Sequence, residues 1–379
     1  MSETFTRREW LAASFSLPAM AAEPRAWNHP APLGRSGLKV TPLAMTPLGA
    51  DGAGLMLQAV DLGINHFNAF ALYYDESEFP AVRAALKAVR HRIVLGGGSG
   101  QTTKEGLLSE IDRKLSILGT DYIDLWYLAA PESITDEMLE AVTIAKQSGK
   151  IRACAVSTHK FAAMVPRLLE VRNTVDALMV ACNFATWDGG SWAGASADIA
   201  QVRQAGIGIV AMKAMLGGLK FVMEDRRAWA DSLTTEAKRR AALAAALRWI
   251  LRNDLVDTVP ITMTSLDQLE SNVKAASTPF NEADKKLLAV ELERISPYYC
   301  RMCQRCGASC RCGLPVPDLL RFLMYADGYR DLRAAREGFR QLPAGLRAVR
   351  CEDCAGCTVR CPNGVHIRER VTRAQLVLA

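Results

Sequence analysis

The sequence predicts an α/β fold: a (β/α)8 TIM barrel followed by a small cysteine-rich domain. Three observations carry this. Short apolar runs alternate with amphipathic helical stretches eight times over roughly 240 residues, the repeat that a closed parallel barrel needs. No Gly-x-Gly-x-x-Gly fingerprint follows the first run, which argues against a doubly wound open sheet. After the last helical stretch the composition changes: residues 296–379 hold fourteen Arg, no Lys, seven Asp or Glu, and two ladders of closely spaced cysteines. With 379 residues, half of them apolar, the chain can bury one large core and a smaller one.

Taken in order, residues 1–27 read as a twin-arginine signal peptide. Arg7 and Arg8 precede a short apolar stretch, Trp10 to Ala22, that ends in small residues, with Ala21–Ala22 the expected cleavage point. That stretch is too short to span a bilayer, and no later one is long and apolar enough. Residues 34–292 read as the barrel. Its strands are expected at Leu38–Leu43, His66–Ala69, Ile93–Leu95, Tyr122–Leu128, Ile151–Val156, Ala177–Ala181, Gly208–Met212 and Thr258–Ile261. Helices are expected between them, among them Gly106–Leu118, Ile134–Gln147 and Thr235–Arg252. Gly96–Gly98 reads as the turn that ends the third strand.

Residues 296–379 read as a ferredoxin-like iron–sulfur domain. Cys300, Cys303, Cys306 and Cys310 form one ladder; Cys351, Cys354, Cys357 and Cys361, followed by Pro362, form the other. The gaps of two, two and three residues are the ligand spacing of bacterial ferredoxins, in which the fourth cysteine of each run serves the other cluster. Two 4Fe–4S clusters are therefore expected. Zinc ribbons use two separated C-x2-C pairs per ion, and disulfides are the other use for eight cysteines in an exported chain. The first ladder lacks the proline and adds Cys312. Cys310 keeps the ligand spacing, so Cys312, Cys154 and Cys182 read as ordinary small apolar residues.

The net charge of +6 concentrates in this domain, which alone carries +7. Arginines there can offset the negative charge of thiolate-bound clusters and bond nearby backbone, or face an acidic redox partner protein. Aromatic residues do not interleave with them in a recognisable nucleic-acid reader motif.

Several segments resemble the aldo-keto reductase family. G-I-N-H-F-N-A-F-A-L-Y-Y-D-E-S-E (Gly63–Glu78), L-G-T-D-Y-I-D-L-W-Y-L (Leu118–Leu128), Gly149–His159, Gly206–Gly218 and Thr264–Asn272 carry the resemblance. Gly313–Asp318 resembles the branch with a C-terminal iron–sulfur extension. The resemblance implies hydride transfer from a nicotinamide to a carbonyl, using an Asp, Tyr, Lys and His. At those positions this chain has Asn68, Tyr73 (with Tyr74 beside it), Gly98 and Ala129. Only the tyrosine survives, and an unassisted phenol titrates near 10, so ordinary carbonyl reduction is expected to be very slow or absent. Of the implied nicotinamide contacts, Met179, Met212 and Gln268 replace the usual residues. Ser157, Asn183, Lys213, Ser265 and Asn272 remain candidates for binding NAD(P); Ser and Asn at strand ends also simply cap helices and close turns.

The expectation is an iron–sulfur oxidoreductase, periplasmic or otherwise exported by the twin-arginine machinery, acting on an unidentified small molecule. The alternatives are an NAD(P)H-dependent carbonyl reductase with an atypical site, or a non-enzymatic electron-transfer subunit.

Overall fold

The computed structural model describes residues 26–47, 52–68, 79–129, 133–186, 195–216, 236–306, 310–329 and 331–379. Tyr73 and the twin-arginine stretch lie outside them. Eight parallel strands follow one another round the sheet: β3 (Leu43–Pro47), β4 (His66–Asn68), β5 (Val94–Ser99), β6 (Ile123–Ala129), β7 (Ile151–Thr158), β8 (Ala177–Ala181), β9 (Gly208–Met212) and β10 (Val259–Met263). β10 pairs back onto β3, and the seam to β9 is bridged at Val210 and Thr258, with the Ala211 N–H on the Thr258 carbonyl at 2.9 Å. This is the expected (β/α)8 barrel.

The first strand was expected at Leu38–Leu43. That segment instead splits at Pro42, which has no N–H to give a ladder. β1 (Ala31–Pro32) and β2 (Lys39–Val40) form an antiparallel hairpin that plugs the bottom of the barrel, and the barrel strand begins at Leu43. Leu33, Leu38 and Val40 of the plug join the interior of the barrel with Val94, Leu125 and Ala153. Gly34 sits at φ +51, where an added Cβ would lie 2.3 Å from the Gly208 nitrogen, so only glycine lets the plug seat.

The last barrel strand is also displaced, to Val259–Met263. The third runs on through Gly96–Gly98 rather than ending there. Its inward positions need room, because a Cβ on Gly96 would stand 2.9 Å from Asn68 Oδ1 and 3.1 Å from Tyr127 Cε2.

Helices cover the barrel: α1 (Gly52–Asp61), α2 (Phe79–Val89), α3 (Lys104–Leu118), α4 (Asp136–Gln147), α5 (Phe161–Glu170), α6 (Ala195–Gln204), α7 (Glu236–Leu251), α8 (Leu266–Ala276) and α9 (Glu282–Ile295). The strand alternation is clear in β6. Trp126 and Leu128 pack outward in the main core, while Leu125 and Tyr127 pack inside the barrel.

After α9 a second core gathers Cys306, Leu314, Phe322, Phe339, Val359, Ile367 and Leu378. Its elements are α10 (Val316–Asp327), α11 (Leu332–Arg340), α12 (Ala344–Ala348) and α13 (Ile367–Leu378), with no strand among the described residues. The likeness to ferredoxins therefore rests on cysteine spacing, not on a shared sheet. Asp327 on α10, itself buried, takes Arg370 at 2.6 Å and Arg373 at 2.8 Å and ties α10 to α13. No helix among the described residues is long and apolar enough to cross a membrane.

Candidate functional site

The strand register brings the degenerate positions together at the C-terminal rim. Asn68 lies opposite Gly96, Gly98 opposite Tyr127, Ala129 opposite Ser157, and Ser157 opposite Met179. Asn68 is buried, and its Oδ1 has no hydrogen-bond partner among the described residues. Gly98 and Ala129 themselves carry no side-chain group that can move a proton. The interior beneath is filled by Tyr127, Met179 and Val210, with Met212 and Ala129 against them. Burial pushes the Tyr127 phenol far above its ordinary range.

The five candidate nicotinamide contacts divide differently from the sequence reading. Asn183 is fully used: its Oδ1 accepts the Ala185 and Thr186 N–H groups at 3.0 Å, and its Nδ2 donates to the Lys213 carbonyl at 3.1 Å and the Tyr299 hydroxyl at 3.0 Å. An amide has two donors and one oxygen with two lone pairs, so none is left over. Ser265 caps α8 by accepting the Gln268 N–H at 3.3 Å, and Gln268 turns back to accept the Thr264 N–H at 2.9 Å. Ser157 Oγ meets only the Met212 sulfur, at 4.0 Å, among its described side-chain partners. Asn272 is half-buried on α8.

Lys213 points to a residue that the sequence reading missed. Its Nζ donates to the Tyr325 hydroxyl at 3.3 Å, and Tyr325 also meets His159 Nε2 at 3.4 Å. Lys160 reaches Asp318 at 4.0 Å. His159 and Lys160 follow β7, Asn183 follows β8 and Lys213 follows β9, so α10 and Tyr299 seat the second domain across the mouth of the barrel. Lys213 is held in the left-handed region at φ +61, where a non-glycine residue is strained. Nothing in the spacing of Tyr325 announces this contact, because it is made across domains.

The cysteines sort into two sets. Burial, and then the neighbouring Cys306, Cys303 and Cys361, push the Cys300 thiol up to about 12; burial and then Cys361 and Cys303 push Cys306 up to about 11. Asn363 stands between ladders, its Nδ2 3.6 Å from Cys303 Sγ and its N–H on Cys361 Sγ at 3.3 Å. Cys351 is raised by burial and, among its neighbours, by Cys357 and Cys310. Cys310, Cys351, Cys354 and Cys357 line one small open hollow together with Cys312, Arg311 and Arg350. Cys361 thus stands with the first ladder, and Cys310 and Cys312 stand with the second.

The backbone curls to suit such a loop. Met302 and Gln304 both adopt φ near +60, and the Met302 N–H turns onto Cys300 Sγ at 3.4 Å. Arg360 bonds the Cys357 and Val359 carbonyls, and Arg368 the Glu352 and Cys354 carbonyls. Among the described residues, no three His, Cys, Asp or Glu side chains close around the place of a single ion. A cubane holds each thiolate on a different iron, so its ligands stand further apart than the ligands of one ion. The two sets of four have the donor chemistry for that group. Cys154 and Cys182 are buried, and burial pushes both thiols up to about 12, as expected of inert core residues.

Comparison with known proteins agrees with the barrel. 6-Dehydroglucose reductase of Novosphingobium aromaticivorans is 32% identical over 33% of this chain, which spans only half the length of that relative. L-galactose dehydrogenase of Arabidopsis thaliana is 24% identical over 65% of this chain and 87% of its own. L-glyceraldehyde 3-phosphate reductase of Escherichia coli is 25% identical over 58% and 77%. Among solved structures, the holo form of an aldo-keto reductase from Bacillus halodurans superposes with a TM-score of 0.56 at 24% identity, covering 70% of this chain and 96% of its own. The aldo/keto reductase family profile matches residues 50–289, seven of the eight barrel strands and the degenerate positions included, and the chain belongs to that family as an aldo/keto reductase-like oxidoreductase.

Proposed function

We propose that the chain is an iron–sulfur oxidoreductase in which two 4Fe–4S clusters exchange electrons with a substrate at the mouth of an aldo/keto reductase barrel. One observation carries the reading: Cys361 groups with Cys300, Cys303 and Cys306, and Cys310 with Cys351, Cys354 and Cys357. These eight residues would hold the clusters, which supply one-electron transfer when bound. The chain's own part is to tune and insulate them. The Met302 and Asn363 N–H groups bond sulfur, and such bonds shift cluster potential. Tyr299, next to Cys300, is bonded to Asn183 at the end of β8, so the first set begins against the barrel.

The lost tetrad supports a reaction other than ordinary carbonyl reduction, with Tyr73 the one surviving member. The commitment of Asn183, Ser265 and Lys213 to protein contacts supports a weak nicotinamide site or none. The twin-arginine stretch supports export after folding, with the clusters already inside, and the Arg-rich domain supports docking of an acidic redox partner protein. A second reading, NAD(P)H-dependent carbonyl reduction with atypical acid–base groups, is favoured by the named reductases and dehydrogenases among the relatives.

The test is an anaerobic titration of cluster-loaded protein with NADPH and then NADH, following nucleotide fluorescence and visible cluster absorption together. The expected result is about eight irons per chain, bleaching by dithionite, and no bleaching by either nucleotide. Nucleotide binding with bleaching would return the nicotinamide to the mechanism; failure to assemble clusters would overturn the reading.

A further inference from the structure

The contact between α10 and the rim carries more chemistry than docking requires. Tyr325 Oη lies 3.3 Å from Lys213 Nζ and 3.4 Å from His159 Nε2. The ammonium also stands over two aromatic faces, 4.6 Å from the centre of Tyr325 and 5.0 Å from that of Tyr329. His159 meets the Tyr325 ring edge-on. Lys213 is strained at φ +61 and pinned through its carbonyl by Asn183. Strain maintained by surrounding structure is a mark of functional positions. At the family positions only Tyr73, outside the described residues, could donate a proton; Asn68, Gly98 and Ala129 could not.

We propose that Tyr325, Lys213 and His159 form a proton-delivering site, built across the domain junction, for a conjugated dicarbonyl substrate of the quinone class. This rests on the iron–sulfur reading above. Donors that release one electron at a time suit an acceptor that can hold one electron while waiting for the next; a conjugated dicarbonyl does this, whereas an isolated ketone does not. The Tyr325 and Tyr329 rings, 5.8 Å apart and tilted by 47°, offer aromatic faces beside the polar tips.

The electrostatics suit the role. Burial alone would raise the Tyr325 phenol, but the Lys213 ammonium and the Arg321 guanidinium outweigh it and hold the phenol below its ordinary range. The groups around it are Lys213, His159 and Lys160 from the strand ends, and Arg321, Asp318 and Tyr329 from its own side; Asp318 is paired to Arg321 at 3.0 Å, so the field is positive. Burial, and then Lys213 and Arg321, keep the His159 imidazole neutral. Lys213 therefore donates to the phenol oxygen, and the phenol O–H donates to His159, which positions it. In the reaction the quinone takes two electrons and two protons to become the quinol. Tyr325 gives one proton to a carbonyl oxygen, breaking its own O–H, and Lys213 steadies the phenolate. One water protonates the second oxygen and another restores the phenol, each leaving as hydroxide; both electrons come from the reduced iron–sulfur donor.

In the test, the full chain is loaded with clusters, reduced, freed of reductant and mixed anaerobically with menadione, a soluble naphthoquinone. Rapid reoxidation of the clusters is expected, slowed at least about 100-fold by Tyr325→Phe with cluster absorption unaltered. Fluorine NMR of fluorotyrosine-labelled chain, without quinone, is the second readout. The Tyr325 signal should titrate below the other tyrosines, and Lys213→Met should move it up. Reduced clusters that menadione does not reoxidise, or that Tyr325→Phe passes on at the wild-type rate, overturn this proposal and leave the iron–sulfur reading standing. So does a Tyr325 signal indifferent to Lys213→Met. Clusters that never assemble overturn both.

Discussion

The buried amide of Asn183 donates to the Tyr299 hydroxyl at 3.0 Å, joining the end of β8 to the residue before Cys300. The same amide closes the turn over residues 183–186 and fixes the Lys213 carbonyl. Asn183→Ala would leave the buried Tyr299 hydroxyl, the Ala185 and Thr186 N–H groups and the Lys213 carbonyl without this partner. Each orphaned buried group costs about 1–3 kcal/mol, partly recovered by water. We expect Asn183→Ala to lower unfolding free energy by about 3 kcal/mol, read by urea denaturation. A loss within error of zero would mean that the amide does not bind the domain to the barrel.

On the proposed iron–sulfur reading, the first ladder offers two candidates for its last ligand. Cys310 is half-buried against the second core, whereas Cys312 is exposed. Cys310→Ser should remove one cluster, halving bound iron and acid-labile sulfide. Cys312→Ser should leave both clusters and their spectra intact. The reverse pattern would move the ligand to Cys312.

His66 gives the barrel an acid-sensitive point. It lies wholly buried inside, its Nδ1 3.0 Å from Thr258 Oγ1, and burial lowers it to about 4. The unfolded chain binds a proton at this histidine below about 6.5, and the folded chain does so only near 4. Between those values the unfolded state holds more protons, so stability falls as pH falls, by about 1.4 kcal/mol per unit and roughly 3 kcal/mol in all. His66→Gln keeps a polar partner for Thr258 and should flatten that part of the stability–pH curve. An unchanged slope would show that another group carries it.

The barrel was legible because burial on both faces writes long apolar strands and helix periodicity into the sequence. The two cysteine ladders are visible in the sequence as a spacing pattern, and the proposal that they hold clusters rests on that spacing and on their grouping in the second core. What escaped reading was made by tertiary contact. Leu38–Val40 is apolar enough for a barrel strand, but it plugs the barrel instead. Gly96–Gly98 reads as punctuation, yet Gly96 is inside a strand because Asn68 and Tyr127 leave no room for a Cβ. Gly96→Ala should therefore cost about 1–3 kcal/mol from overpacking, checked by thermal unfolding. The contact of Lys213 with Tyr325 is not legible because the two lie more than a hundred residues apart, in different domains.

Rebuilding the family's charges on this rim should not by itself restore carbonyl reduction. In Gly98→Lys with Ala129→His, the new ammonium would enter beside Tyr127 with Asn68, not a carboxylate, at the neighbouring position. A buried lysine without a counter-charge is driven toward its neutral form and then cannot acidify a phenol at Tyr73. Asn183 would remain saturated and Lys213 held by Tyr325. We expect NADPH oxidation with a small aldehyde to stay at the background of the parent chain. Adding Asn68→Asp supplies the missing charge and should raise the rate if Tyr73 reaches the site. Activity in the double variant alone would mean that the nicotinamide cleft is open and that only the chemistry was lost, which would favour the reductase reading over the iron–sulfur one.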